Sequence, residues 1–341
     1  MKVLANDGIS ENAVDILNKN SFDVYLDKVE QNNLIDFINL NKISVLLVRS
    51  ATQVRKNLID NCQSLKIIGR GGVGMDNIDV EYAKSRGILV INTPGASSNS
   101  VAELVFAHLF SGSRFLFDSN RNMPLEGEKN FKTLKKKYSQ GIELKNKNLG
   151  IIGLGKIGRE VARIGFGLGM NVLGFDKFIK EKSIEVKLND QNAYTFEINL
   201  ISFDEILKNS DFISLHVPAQ KNFLIGKVEF EKMKKGSSII NASRGGIVDE
   251  EELIRNLDNG KIKFAGLDTF ENEPTPSVSI LMHPKISLTP HIGAATSEAQ
   301  ERIGEELAKQ ICDFYKIWID GYSILKINGI SNQIFNYFWY L

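Results

Sequence analysis

Three residues in the second half of the chain combine the types that acid/base and anion chemistry needs: Arg244 in NASRGG, Glu273 in DTFENEP and His291 in TPHIGAAT. Interconverting an alcohol and a carbonyl needs a group that moves the hydroxyl proton near neutral pH. It also needs a cation to fix a neighbouring carboxylate and a partner that orients the base. His, Arg and Glu suit those tasks, and Asp268 opens the same DTFENEP motif. Each also has a plain structural reading: a capping histidine, an ion-paired arginine, a loop carboxylate. His216 in LHVP and His283 in MHP are weaker candidates for proton transfer.

A second kind of chemistry is written in glycines. The string GxGxxG occurs at Gly69, Gly71 and Gly74, and again at Gly153, Gly155 and Gly158. It is specific only with a strand before it, a helix after it and an acid closing the next strand. The second copy has all three: LGII, then IGREVARIGFGLG, then NVLGF ending on Asp176. Its backbone would let a pyrophosphate approach the helix N-terminus, where unpaired N–H groups favour anions. Asp176 would accept the adenosine ribose hydroxyls and repel a 2′-phosphate, so NAD is the expected cofactor. The first copy is followed by a strand ending in INTP, without an acid. It reads as a glycine-rich turn, or as an anion cradle made by the N–H groups of Gly71, Gly72 and Val73.

The elements that must position these residues alternate regularly. KVLAND, FDVYL, ISVLLVRS, SLKIIGR and ILVINTP are short apolar runs separated by amphipathic stretches, the pattern of parallel strands covered on both faces. A second series begins at Leu149 and ends in ISLTPHIG. The fold class expected is α/β, with two doubly wound parallel-sheet domains of Rossmann or flavodoxin type. Between the series lies a helix from about Ser98 or Ser100, either serine serving as N-cap, with Val101, Leu104, Val105, His108 and Leu109 at helical spacing. Residues 121–147, polar and Lys-rich, read as an extended connecting or oligomerisation arm. An amphipathic helix is expected over 296–318, a β-hairpin insertion within 181–200, and an aromatic tail of unknown role over 331–341.

Composition excludes several classes. Lys plus Arg (42) nearly cancels Asp plus Glu (41), so a basic field for nucleic acid or anionic membrane is missing. Cys62 and Cys312 have no partner at metal or disulfide spacing, so free thiols and no metal are expected. No stretch approaches the ~20 apolar residues of a membrane span, and the N-terminus has no secretory h-region; a cytoplasmic protein is expected.

In this order GLGKIG, LHVP, NASRGG, DTFENEP and PHIGAAT resemble the D-isomer-specific 2-hydroxyacid dehydrogenase family, over residues 1 to about 330. The resemblance implies a discontinuous substrate domain (1–96 plus 291–330) around an NAD-binding domain (97–290). It makes His291 the acid/base, Glu273 the carboxylate that orients the imidazole and favours its charged form, and Arg244 the clamp on the substrate carboxylate. Lys156, Ile157, Val217, Pro218, Ala242, Ser243, Asp268, His291, Gly293 and Ala294 fall on positions lining NAD, Asp268 holding the nicotinamide amide. Arg49, Gly71, Gly72, Val73 and Arg244 fall on the substrate side. Within the family, MKVLANDGIS, VRSAT, GRGGVGMDNID and NTPGASSNSVAEL point to the branch that takes a phosphorylated three-carbon acid. Glyoxylate or hydroxypyruvate reduction and NAD-sensing co-regulation are the alternatives. A homodimer or homotetramer is expected, without an appended regulatory domain.

Overall fold

The computed structural model describes residues 1–187 and 193–328, with side chains for 1–186 and 193–316. The chain forms two compact units, Met1–Ala96 with Ser297–Leu341, and Ser97–Thr296.

In the first unit β1 (Lys2–Ala5), α1 (Glu11–Lys19), β2 (Asp23–Tyr25), α2 (Leu34–Asn41) and β3 (Val45–Val48) come first. They are followed by α3 (Lys56–Asn61), β4 (Ile67–Arg70), α4 (Val80–Ser85) and β5 (Leu89–Asn92). The strands form a parallel sheet in the order β2-β1-β3-β4-β5. β3 is VLLV with all four residues buried, as a strand covered on both faces must be. The last helix of the chain joins this unit. Its Ile303, Leu307 and Ile311, one per turn, enter the core with Val3, Ala13 and Leu17.

The second unit opens with α5 (Ser98–Ser113) and α6 (Leu116–Lys137). Then come β6 (Asn148–Ile152), α7 (Lys156–Gly167), β7 (Asn171–Phe175), β8 (Ser183–Lys187), β9 (Ala193–Glu197) and β10 (Asn199–Leu200). The remainder is α8 (Phe203–Asn209), β11 (Phe212–Leu215), α9 (Lys227–Lys232), β12 (Ser237–Asn241), α10 (Glu250–Asp258), β13 (Ile262–Leu267), α11 (Val278–Leu281) and β14 (Ile286–Leu288). Seven strands form one parallel sheet, β10-β7-β6-β11-β12-β13-β14. β8 and β9 pair antiparallel beside it, the hairpin expected within 181–200. Ile184 and Val186 bury themselves while Glu185 between them stays exposed, the period-two pattern of a strand with one wet face.

Several expectations are corrected. The N-cap of α5 is Ser97, and Ser98 and Ser100 lie buried inside its first turn. Residues 121–147 are not an extended arm, because helix runs through Lys137. That helix is folded back on itself. Asp118 and Lys137 are nineteen residues apart, ~28 Å along a straight helix, yet they form a 2.8 Å ion pair. The fold-back falls at Asn130, which leaves helical geometry (φ −116°, ψ 22°). Pro124 and Gly127 within it hide the periodicity from the sequence. The second unit extends to Thr296 rather than 290, because Ile292 and Gly293 donate to Asp268 and Thr296 bonds Ser100. The last helix, α12, spans Ser297–Asn328, ten residues beyond its expected end. The aromatic tail at 331–341 lies outside the described residues.

Packing between α1 and α12 makes a prediction. A Cβ on Gly304 would lie 2.2 Å from Ser10 Oγ and 2.9 Å from Ala13 Cβ. Gly304→Ala gains about 1 kcal/mol of helix propensity but overpacks a close helix contact, which costs about 1–3 kcal/mol. The variant is expected to melt below the parent; a higher Tm would show slack between these helices.

Candidate active site

The GLGKIG turn is built by contacts that leave one place open. Gly153 sits at φ +96° with its missing Cβ 2.2 Å from His216 O, where the end of β6 passes the end of β11. A Cβ on Gly158 would lie 2.0 Å from Gly153 O, so α7 rests directly on the turn. Gly155 differs: nothing lies within 4 Å of its Cβ position, and it is the N-cap of α7. Two glycines pack the helix against the strand, and the third leaves room for a ligand above the helix N-terminus. Lys156 and Ile157 start that helix, and Val217 Cγ1 lies 3.3 Å from the Gly153 Cβ position. Pro218 and Lys156 are exposed.

Asp176 follows the last residue of β7. Its Oδ2 accepts Leu154 N–H at 2.8 Å, and its Oδ1 accepts Phe178 and Ile179 N–H at 2.8 and 3.0 Å. Burial pushes its pKa up, but the N–H groups of Ile179, Leu154 and Phe178 and the charge of Lys180 outweigh it and hold the carboxyl below the ordinary value. A fixed, ionised, half-exposed acceptor beside the glycine turn fits a ribose diol. The residues present fit a dinucleotide.

Three loops at the carboxyl ends of β12, β13 and β14 carry the other candidates. Asn241 shapes the first: its Oδ1 accepts Ser243 N–H and Oγ–H, and its Nδ2 donates to Arg244 O. Ala242 and Ser243 are buried there, and Arg244 is half-buried with Nη1 donating to Ser243 O at 2.7 Å. A Cβ on Gly245 would lie 1.8 Å from Phe270 O, so the arginine loop presses against the DTFENEP loop. There Glu273 Oε1 accepts Phe270 N–H at 2.9 Å, and Oε2 meets His291 Nδ1 at 2.8 Å. His291 keeps 48% of its side chain exposed.

Asp268 occupies a place that its sequence motif did not reveal. It is 1% exposed and accepts Thr289 Oγ1–H at 2.6 Å, Ile292 N–H at 2.8 Å and Gly293 N–H at 2.9 Å. It therefore fastens the loop that bears His291. Asn241, Thr289 and His108 are further polar residues of this neighbourhood that motif reading missed, since none is a catalytic type at catalytic spacing.

In the first unit, Arg49 follows β3 with its N–H on Asp7 Oδ2 and its carbonyl accepting Asn77 Nδ2. The cradle expected from GRGGVG is reduced. Gly71 N–H donates to Val48 O and Gly72 N–H to Thr93 Oγ1, so of the three N–H groups Val73 alone has no bond of this kind. His283 takes Lys285 N–H on Nδ1 and faces Asp258 with Nε2, a structural role. Among the described residues no cluster could hold a metal, and no helix is long and apolar enough to cross a membrane.

His216 pairs Nε2 with Ser214 Oγ at 2.8 Å, and burial pushes its pKa down to about 3. The unfolded chain would take up that proton below its ordinary value of 6.5, so stability present above pH 6.5 is lost as pH falls toward 3. Between pH 6.5 and 5 few carboxylates titrate. His216→Asn is expected to flatten the loss of unfolding free energy there, followed by urea denaturation, by up to about 1.4 kcal/mol per pH unit. An unchanged slope would mean that the buried imidazole is not the group responsible.

Residues 106–293 match the D-isomer specific 2-hydroxyacid dehydrogenase, NAD binding domain. The chain is 40% identical over 316 residues to the hydroxypyruvate reductase of Thermotoga maritima, covering 91% of this chain and 97% of that protein. It is also 40% identical over 320 residues to the D-3-phosphoglycerate dehydrogenase of Archaeoglobus fulgidus, covering 93% of this chain but only 58% of that protein. The crystal structure of NAD+-bound 3-phosphoglycerate dehydrogenase from Entamoeba histolytica superposes with a TM-score of 0.74 at 30% identity, covering 93% of this chain and 95% of that one. With a domain match over more than half its length and a relative this similar end to end, the chain belongs to the D-isomer specific 2-hydroxyacid dehydrogenase family.

Proposed function

We propose that the protein is an NAD-dependent 2-hydroxyacid dehydrogenase, and that its substrate pair is 3-phosphoglycerate and 3-phosphohydroxypyruvate, at the entry to serine synthesis in the cytoplasm. The observation that carries the chemistry is the His291 Nδ1 to Glu273 Oε2 bond of 2.8 Å, with Glu273 held independently by Phe270 N–H. With Nδ1 directed at a carboxylate, Nε2 is left to exchange a proton with the substrate oxygen. Arg244 clamps the substrate carboxylate, its guanidinium being planar and permanently charged. Gly153, Gly155 and Gly158 seat the dinucleotide, Asp176 takes the ribose, and Gly293 and Ala294 follow His291 along the nicotinamide side. A nicotinamide bound there supplies or accepts the hydride.

A C3 phosphate needs cations beyond Arg244. Arg49, Arg70, Lys135 and Lys136 are the candidates, with Val73 N–H. Lys137 is already paired with Asp118 at 2.8 Å, so it is the weakest of the lysines. Relatives named D-3-phosphoglycerate dehydrogenase support this reading. The Thermotoga maritima relative, which the chain matches across 97% of its length and which is named hydroxypyruvate reductase, favours the reductase reading, hydroxypyruvate reduction, as the second one. NAD-sensing co-regulation would leave NAD binding without turnover of any 2-oxo acid.

One experiment separates them: kcat/KM with NADH for phosphohydroxypyruvate, hydroxypyruvate and glyoxylate, in the parent, Arg49→Ala and His291→Ala. The phosphorylated acid is expected to lead in the parent and to lose its lead in Arg49→Ala. His291→Ala should lose kcat on the order of 10²-fold or more while binding NADH. Equal or better turnover of the unphosphorylated acids moves the assignment to the reductase reading.

We also propose a homodimer or homotetramer. α6 exposes Leu116, Met123, Leu125 and Phe131, an apolar set that a monomer rarely leaves wet. Sedimentation at micromolar concentration should show a species of at least twice 38.1 kDa; a monomer alone would remove the proposal.

A further inference from the structure

His108 is a buried titratable group outside every motif of the site. It lies on α5 with 2% of its surface exposed, and both ring nitrogens are engaged: Nδ1 with Ser287 Oγ at 2.9 Å and Nε2 with Thr289 Oγ1 at 3.0 Å. Space for the ring is made by Gly266 of β13, whose Cβ would lie 2.6 Å from His108 Cβ.

The direction of these bonds follows from counting protons. Asp268, as a carboxylate, has none to give, so Thr289 donates its single hydroxyl proton to Asp268 Oδ1. Thr289 must then accept from His108, which places the imidazole proton on Nε2. Nδ1 is left as an acceptor for the Ser287 hydroxyl. Burial lowers the His108 pKa, against the opposing pull of Asp268, which keeps the ring neutral and this arrangement unique. The sequence of donors, Ser287 to His108 to Thr289 to Asp268, ends on Oδ1, which also receives Ile292 N–H, while Oδ2 of the same carboxylate receives Gly293 N–H.

We infer that His108 is a positioning residue for the acid/base loop, acting through Thr289 and Asp268 to hold the backbone that follows His291. A hydroxyl that rotates away from Asp268, or turns to another acceptor, frees one carboxylate oxygen to swing and loosens both N–H bonds. His108 prevents this by occupying the lone pair of Thr289 from the opposite side. The inference rests on the proposed function only for its effect on turnover, not for its effect on the loop.

The test uses three substitutions. His108→Met fills the space without a donor, His108→Gln returns an N–H near the position of Nε2, and Thr289→Val removes the intermediary. Amide hydrogen exchange of the segment around Ile292 and Gly293 is expected to quicken in His108→Met and Thr289→Val and to return toward the parent in His108→Gln. Turnover of the preferred 2-oxo acid should show kcat lowered about tenfold in His108→Met, KM changed less than about twofold, and recovery in His108→Gln. The double variant His108→Met with Thr289→Val should be no slower than Thr289→Val alone. Unchanged exchange in His108→Met, or additive losses in the double variant, would overturn the inference. Quickened exchange in His108→Met and Thr289→Val, with no turnover of any 2-oxo acid by the parent, would keep the relay and sink the function.

Discussion

His291 stands at φ +55°, in the left-handed region that a residue with a side chain enters at a cost of about 1–2 kcal/mol. Such a conformation persists only where its surroundings over-determine it. Here the next two N–H groups are both taken by Asp268, and the His291 N–H itself donates to Thr289 O. The site depends on this one buried carboxylate. Without it the loop would have an unpaired, buried Gly293 N–H and a backbone conformation with little to hold it. The geometry of His291 relative to Glu273 would be lost with the loop.

The His291–Glu273 pair itself is a poor source of stability. His291 is 48% exposed and Glu273 36%, and half-wet pairs are worth about 0–1 kcal/mol. What the pair supplies is orientation. One oxygen of Glu273 is fixed by Phe270 N–H, which aims the other at Nδ1, and the Phe270 backbone is in turn pressed by the arginine loop at Gly245. The loops that carry Arg244 and Glu273 therefore meet backbone to backbone, at Gly245 and Phe270. This is the economy of an open parallel sheet: neighbouring strands end at one level, so their loops meet.

Much of this was legible in the sequence. Continuous apolar runs such as VLLV could only be strands covered on both faces, and the GLGKIG context selected one glycine motif of two. The structure then divides that motif into two packing glycines and one open one, a difference that spacing alone does not carry. The illegible parts have a common cause. α6 is helical, yet Pro124, Gly127 and a Lys-rich end broke its apolar period, and the fold-back pairing Asp118 with Lys137 is a tertiary contact with no local signature. The GRGGVG string could not be resolved between a glycine-rich turn and an anion cradle because its acceptors, Val48 O and Thr93 Oγ1, come from β3 and from the end of β5.

Asp268 and His108 illustrate the same limit within the site. Their residue types suggested a ligand contact for one and a stripe of core for the other. Burial reverses the emphasis, because a buried polar group must have its hydrogen bonds answered by its neighbours. A carboxylate 1% exposed with three donors, and a histidine 2% exposed with two hydroxyls, are parts of one network. That network draws on α5, the end of β13, β14 and the segment that follows it, and His108 is 179 and 181 residues from its partners Ser287 and Thr289 along the chain. Chemistry that is contiguous in space but scattered in sequence becomes visible only when the strands are placed side by side.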